Sequence, residues 1–317
     1  LSGDLLGRMA FTPEEPLGQY FERSDCRLDI QPNTITFYSR SALKEDWRAP
    51  LDGLGLSTSP QELSVPSSGG IAVAGSFGAP LQAVWNAVNE MSNNALNDQF
   101  TGLGLMDELS VADQEALSAL LLNLSARLGE SFSLRTAGFD LNGLVPMPVF
   151  DLRLEPEADG ISALLAQAPT QTKEALPRNG VPYVVEGSEA LRLPLGWGDI
   201  VEPTAFQGEN DWHLTLHPAH EAMMYERPSG STMSGKKGHL YLRLRLGDLV
   251  ESSREGARFY AEQGMVSGRS VASLDEMLSE AESIAQRVPE LTVAASYVAG
   301  ELFVEMHLEL SPTSPVE

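Results

Sequence analysis

The chain has 317 residues, 42% of them hydrophobic, and its 44 acidic against 21 basic side chains give a formal charge of −23. A field of that sign keeps the chain soluble and repels phosphate backbones and anionic lipid headgroups, so nucleic acid and anionic membrane surfaces are poor partners. Cys26 is the sole cysteine, which excludes an intrachain disulfide and any zinc site built on several thiolates.

Residues 26–30 and 34–39 flank Gln31-Pro32-Asn33 and read as a hairpin. Segment 57–70 (STSPQELSVPSSGG) is rich in Ser, Pro and Gly and reads as a linker. Gly70 then opens a short apolar strand, IAVAG, and a helix starts near Gly78-Ala79-Pro80, with proline in a favoured first-turn position. Ser110-x-x-Asp113 precedes Leu117, Leu120, Leu121, Leu124 and Leu128, a helical stripe that Gly129 closes. Residues 131–141 and 148–155 form the next hairpin, turning at Asn142-Gly143.

Residues 167–182 mark a further break, and 211–216 read as a strand running into a short helix at 218–225. Segment 227–238 (RPSGSTMSGKKG) is a second flexible connection and carries the only adjacent lysine pair. The order of signals seen after Gly70 then returns. Gly238 opens the strand HLYLRLRL. One helix begins at Asp248 with Glu251 three residues on and stops at Gly264. Another follows Ser273-x-x-Glu276 with Met277, Ala281, Ile284, Ala285 and Val288, and Pro289 ends it. A hairpin of 291–298 and 301–310 turns at Ala299-Gly300, and the prolines of SPTSPVE at 311–317 leave a frayed tail.

This recurrence predicts an α+β fold. Two similar β-α-α-β-β units are expected, with mainly antiparallel sheets and helices packed on one face. Residues 1–155 would form the first unit with its N-terminal β hairpin. Residues 156–317 would form the second, with inserted β segments and the frayed C-terminal tail. Along 239–246, Leu240, Leu242, Leu244 and Leu246 alternate with His239, Tyr241, Arg243 and Arg245. That period of two predicts a leucine face against helices and a wet face opposite.

A WHLTL strand followed by HPAHEAM, then a charged loop, the leucine-alternating strand, paired helices and a terminal hairpin, resembles a class of exported bacterial proteins of unknown function. The resemblance covers the C-terminal third and brings no site residues. It implies an extracytoplasmic location, in the periplasm or at the cell surface. No basic n-region or apolar h-region follows Leu1, so any signal peptide is read as already removed, and no stretch approaches the ~18 apolar residues of a membrane span.

The candidates for chemistry are few. His217, His220 and Glu221 in HPAHE offer two imidazoles and a carboxylate to one metal, but their spacing matches no HExxH-type motif, and exposed histidines on a helix turn are the preferred reading. Gly75-Ser76-Phe77-Gly78 lies between strand and helix yet lacks the third glycine of a dinucleotide site and the lysine of a P-loop, so it reads as a plain connection. No G-x-S-x-G elbow is present. The expectation is therefore a non-enzymatic binding or structural module outside the cytoplasm. It would have no catalytic residues and no cofactor, and its partner would be a protein or small molecule that the sequence does not identify. The alternatives are a metal-dependent hydrolase using His217, His220 and Glu221, and a carrier of an apolar ligand held between helices and sheet.

Overall fold

The fold was analysed in a computed structural model, which describes residues 3–10, 18, 20–54, 56, 61–66, 69–91, 128–140, 147–156, 182–185, 188–192, 204–207, 212–216, 220, 234–264 and 270–311. The early strands are β1 (Gly3–Ala10), β2 (Phe21–Gln31), β3 (Thr34–Leu43), β4 (Gln61–Val65) and β5 (Ile71–Ser76), with helices α1 (Glu45–Gly53) and α2 (Leu81–Met91). Next come β6 (Leu128–Asp140), β7 (Met147–Pro156), β8 (Pro182–Val185), β9 (Ser188–Arg192), β10 (Thr204–Gln207) and β11 (Trp212–Thr215). Strands β12 (Ser234–Gly238) and β13 (Leu240–Arg245), helices α3 (Leu246–Glu262) and α4 (Val271–Arg287), and strands β14 (Glu290–Val298) and β15 (Glu301–Glu309) complete the described chain.

Thirteen of these strands form one antiparallel sheet in the order β1-β2-β3-β15-β14-β13-β5-β6-β7-β11-β10-β9-β8. This corrects the expected pair of α+β units with helices packed on one face. Strand outweighs helix, the helices are few, and no boundary divides the sheet. Strands β6-β7 and β14-β15 pair as their hairpin signals require, and β5 and β13 add to them in chain order, but β5 pairs directly with β13 and fuses the two sets. The stripe ending at Leu128 falls mostly outside the described residues, and Leu128 itself begins strand β6.

Local turn chemistry holds where it can be followed. Ala299 and Gly300 both have positive φ, 51° and 81°, the pattern of a type I′ hairpin turn between β14 and β15. Helix α3 ends before Gly264, whose φ of 68° suits a glycine stop. Helix α4 starts one turn earlier than its Ser273 signal, because Ser270 is the cap and its hydroxyl accepts from the Ser273 N–H at 3.2 Å. Helix α3 crosses the sheet with Gly256 against the Phe139 ring of β6. Arg254–Glu282 and Arg258–Asp275 tie α3 to α4 at its outer side.

The two segments read as linkers, 57–70 and 227–238, hold the strands β4 and β12. These pair antiparallel in a separate two-stranded ribbon. Within β4 the alternation is plain: Leu63 and Val65 are buried, Glu62 and Ser64 exposed. Leu63 and Val65 pack on Ala72, Ala74 and Tyr241 of the large sheet, with Ala294 at the margin. Each buried side chain of that size stabilises by about 1.5–3 kcal/mol. In the paired register Ala72, Ala74, Tyr241, Arg243 and Ala294 lie on the face opposite Leu242 and Leu244.

The ribbon therefore covers the middle of the face expected to be wet. Tyr241 is 6% and Arg243 5% exposed, whereas Leu240 on the leucine face is 38% exposed. Glycine makes the close approach of β12 possible, since a Cβ on Gly238 would stand 3.2 Å from the Ala295 carbonyl oxygen.

Candidate functional site

On either side of the ribbon the polar face carries a different kind of cluster. Under β6, β7 and β11 lies Asp151, 2% exposed. Alternation along β7 puts Asp151 and Arg153 on one face, and strand pairing sets Arg135 opposite the first and His213 opposite the second. One carboxylate oxygen, Oδ2, accepts from Arg135 Nε at 3.3 Å and Arg153 Nε at 3.1 Å, while Oδ1 meets His213 Nδ1 at 2.8 Å. Burial alone raises a carboxyl pKa. The hydrogen bond and charge of His213, with both guanidiniums, outweigh it and hold Asp151 below the usual carboxylate range.

An aspartate on the Nδ1 of a histidine is the orienting half of a catalytic triad. Ser133 does not supply the hydroxyl half. Ser133 faces Arg153 in the register and stands two strands from His213, about 10 Å at ordinary strand spacing, far beyond hydrogen-bond reach. Both carboxylate oxygens are engaged and the group is buried, the features of a buried ion network.

On the other side of the ribbon, β2, β3, β15 and β14 present two cross-strand rows on the same face. One runs Arg27–Tyr38–Glu305–Ala294 and the next Asp25–Arg40–Phe303–Ser296. Arg27 lies 5.9 Å from the centre of the Tyr38 ring, and Arg40 lies 5.6 Å from that of Phe303. Both rings stay 38% exposed. Because β14 supplies only Ala294 and Ser296 beside these large neighbours, a trough opens over them. Lys237 of β12 lines its other wall. Its volume of about 360 Å³ is at the lower end of the range for small-molecule sites.

The charges of the groove are unequally committed. Arg40 holds Glu301 through Nε at 2.8 Å and Nη2 at 2.6 Å, and the Glu301 hydrogen bond and charge raise its pKa above the ordinary guanidinium value. Lys237 and Glu305 line the same trough and form no ion pair or hydrogen bond with any described residue.

His217 and Glu221 of the alternative metal group lie outside the described residues. His220 is fully buried rather than exposed, with Nε2 3.4 Å from Oδ2 of Asp140 at the end of β6. Among the described residues no group of three or more His, Cys, Asp and Glu is placed to hold a metal ion. At Gly75 a Cβ would run into the Phe132 ring, so that glycine serves packing between β5 and β6.

His239 accepts the Tyr297 N–H on Nδ1 at 2.9 Å, and His307 bonds Thr36 Oγ1 at 3.0 Å. Cys26 is half-buried beside Ser24, with 3.4 Å between Sγ and Oγ. No described helix is long and apolar enough to cross a membrane. The residues that build the two clusters were missed in the sequence apart from Lys237, whose adjacent lysine pair was the one visible signal.

The chain matches no protein-family model, and neither curated proteins nor solved structures show significant similarity to it.

Proposed function

We propose that this chain is a non-enzymatic binding module that works outside the cytoplasm and takes a small ligand in the trough over Ala294 and Ser296. The observation that carries this reading is the exposure of Tyr38 and Phe303 beside a floor of small residues, with Lys237 and Glu305 uncommitted. Ligand pockets combine aromatic and apolar lining with a few placed polar groups, and the trough has both. The Asp151 cluster, in which two guanidiniums and His213 engage both carboxylate oxygens of a buried group, supports a framework role for that end of the face.

Amide NMR with a set of ring-bearing charged fragments tests the reading. Shifts should gather on Tyr38, Lys237, Ala294, Ser296 and Phe303. Fragments that leave these amides unmoved, or that are turned over, would overturn it. Fractionation of cells expressing the native gene tests the location, and recovery in the cytosol would count against export.

A second reading, a carrier of an apolar ligand, has its own support. Leu240 and Met306 on the leucine side of the sheet are 38% and 39% exposed, as are Met277 and Ile284 of α4 at 44% and 52%. Enhanced fluorescence of an apolar dye that Leu240→Asp abolishes without unfolding the protein would favour that side of the molecule.

A further inference from the structure

Resting on the reading of the trough as a ligand site, we infer that its ligand is a small zwitterion with a planar apolar part, of the chemical class of an aromatic amino acid. Three observations converge on this class. First, the apolar surface on offer is aromatic. Tyr38 and Phe303 each have an arginine held over the ring, which fixes the ring and leaves it more than a third exposed. Second, the floor is Ala294 and Ser296, so a flat group can settle between the rings and the ribbon.

Third, the charges left over are one of each sign. Arg40 is already occupied by Glu301, and Asp25 and Arg27 have partners of their own. Among the described residues Lys237 and Glu305 have none, and they are not within ion-pair distance of each other although both line the trough. Ala294 lies directly opposite Glu305 in the sheet, and β12 with Lys237 runs along the other side of β14. A ligand on the floor thus lies between an ammonium and a carboxylate. A ligand carboxylate is complementary to Lys237 and a ligand ammonium to Glu305. A purely anionic molecule would leave Glu305 facing a like charge, and a purely cationic one would do the same to Lys237. The modest volume suits a single small molecule.

Calorimetry on the whole chain decides the matter with three probes that share one ring: L-phenylalanine, 3-phenylpropanoate and 2-phenylethylamine. L-Phenylalanine should bind at one site, and each probe lacking one charge should bind at least about tenfold more weakly, the scale of one charge-assisted hydrogen bond. Lys237→Gln should remove the advantage over 2-phenylethylamine and Lys237→Arg should restore it. Glu305→Gln should remove the advantage over 3-phenylpropanoate.

Equal affinities for the three probes, with amide shifts still confined to Phe303 and Ala294, would overturn the zwitterion while leaving the trough as a site. Absence of binding by all three, with no shift at those amides, would overturn the zwitterion and count against the trough as well. Loss of discrimination in a variant whose denaturation midpoint is unchanged would support the inference, since a merely structural role would lower that midpoint.

Discussion

The two ends of the polar face contain the same kinds of side chain and put them to opposite use. Around Asp151, two arginines and a histidine converge on one carboxylate that is 2% exposed. Around Glu301, Arg40 and Arg23 also converge on one carboxylate, at 2.6 and 3.7 Å, but the arginine side chains are 56% and 49% exposed. Water screens the second group and not the first. Burial, more than the count of opposite charges, therefore decides which cluster is part of the framework and which belongs to a surface.

The largest effect that would test this contrast is on Asp151. Asp151→Asn removes the charge that two arginines and a histidine share. It should cost about 3–5 kcal/mol, read as a lower urea midpoint at unchanged slope. A loss under 1 kcal/mol would place Asp151 with the surface group. Next comes the ribbon, which separates the two ends. Leu63→Ala should cost about 2–5 kcal/mol and raise hydrogen exchange at the β4 and β12 amides first, because Leu63 is the larger of the two side chains anchoring β4 to the sheet.

Acid should weaken the Asp151 end. Asp151 has a folded pKa below its unfolded value of about 3.9. Its contribution is therefore complete above the unfolded value and is lost as the pH falls through the folded one. Between the two the unfolded chain binds more protons, so stability rises with pH. Denaturant midpoints followed down from pH 5 should fall in the wild type, and part of that slope should vanish in Asp151→Asn. The smallest effect belongs to Glu301→Gln, about 0–1 kcal/mol and reduced further by salt. Equal losses for Asp151→Asn and Glu301→Gln would erase the distinction between the two ends.

Much of the local structure was legible in the sequence, because its causes are local. Ala299-Gly300 specifies a tight turn wherever the hairpin ends up, and a leucine at every second position of β13 specifies a strand with one apolar face. Helix α4 begins at a serine cap and helix α3 stops at a glycine, both local signals, although Met277 and Ile284 of the stripe read along α4 are 44% and 52% exposed. The ribbon was not legible. QELSV alternates, but it is five residues long among serines and prolines, and its partner SGKKG holds no apolar side chain. Only pairing between two strands far apart in the chain makes both of them structure.

The sequence by itself determined the antiparallel hairpins and the identity of the leucine face, since turn chemistry and side-chain periodicity act within a few residues. The tertiary structure decided which surfaces are wet. Tyr241 and Arg243 occupy strand positions that read as solvent-facing and are buried because β4 and β12 lie over them. The same is true of the clusters. His213 and Asp151 stand 62 residues apart and meet at 2.8 Å because β11 pairs with β7. Lys237 overlooks Ala294 because the ribbon stops short of Tyr38 and Phe303. Burial and charge pairing are properties of what the sheet brings together, and no spacing along the chain encodes that.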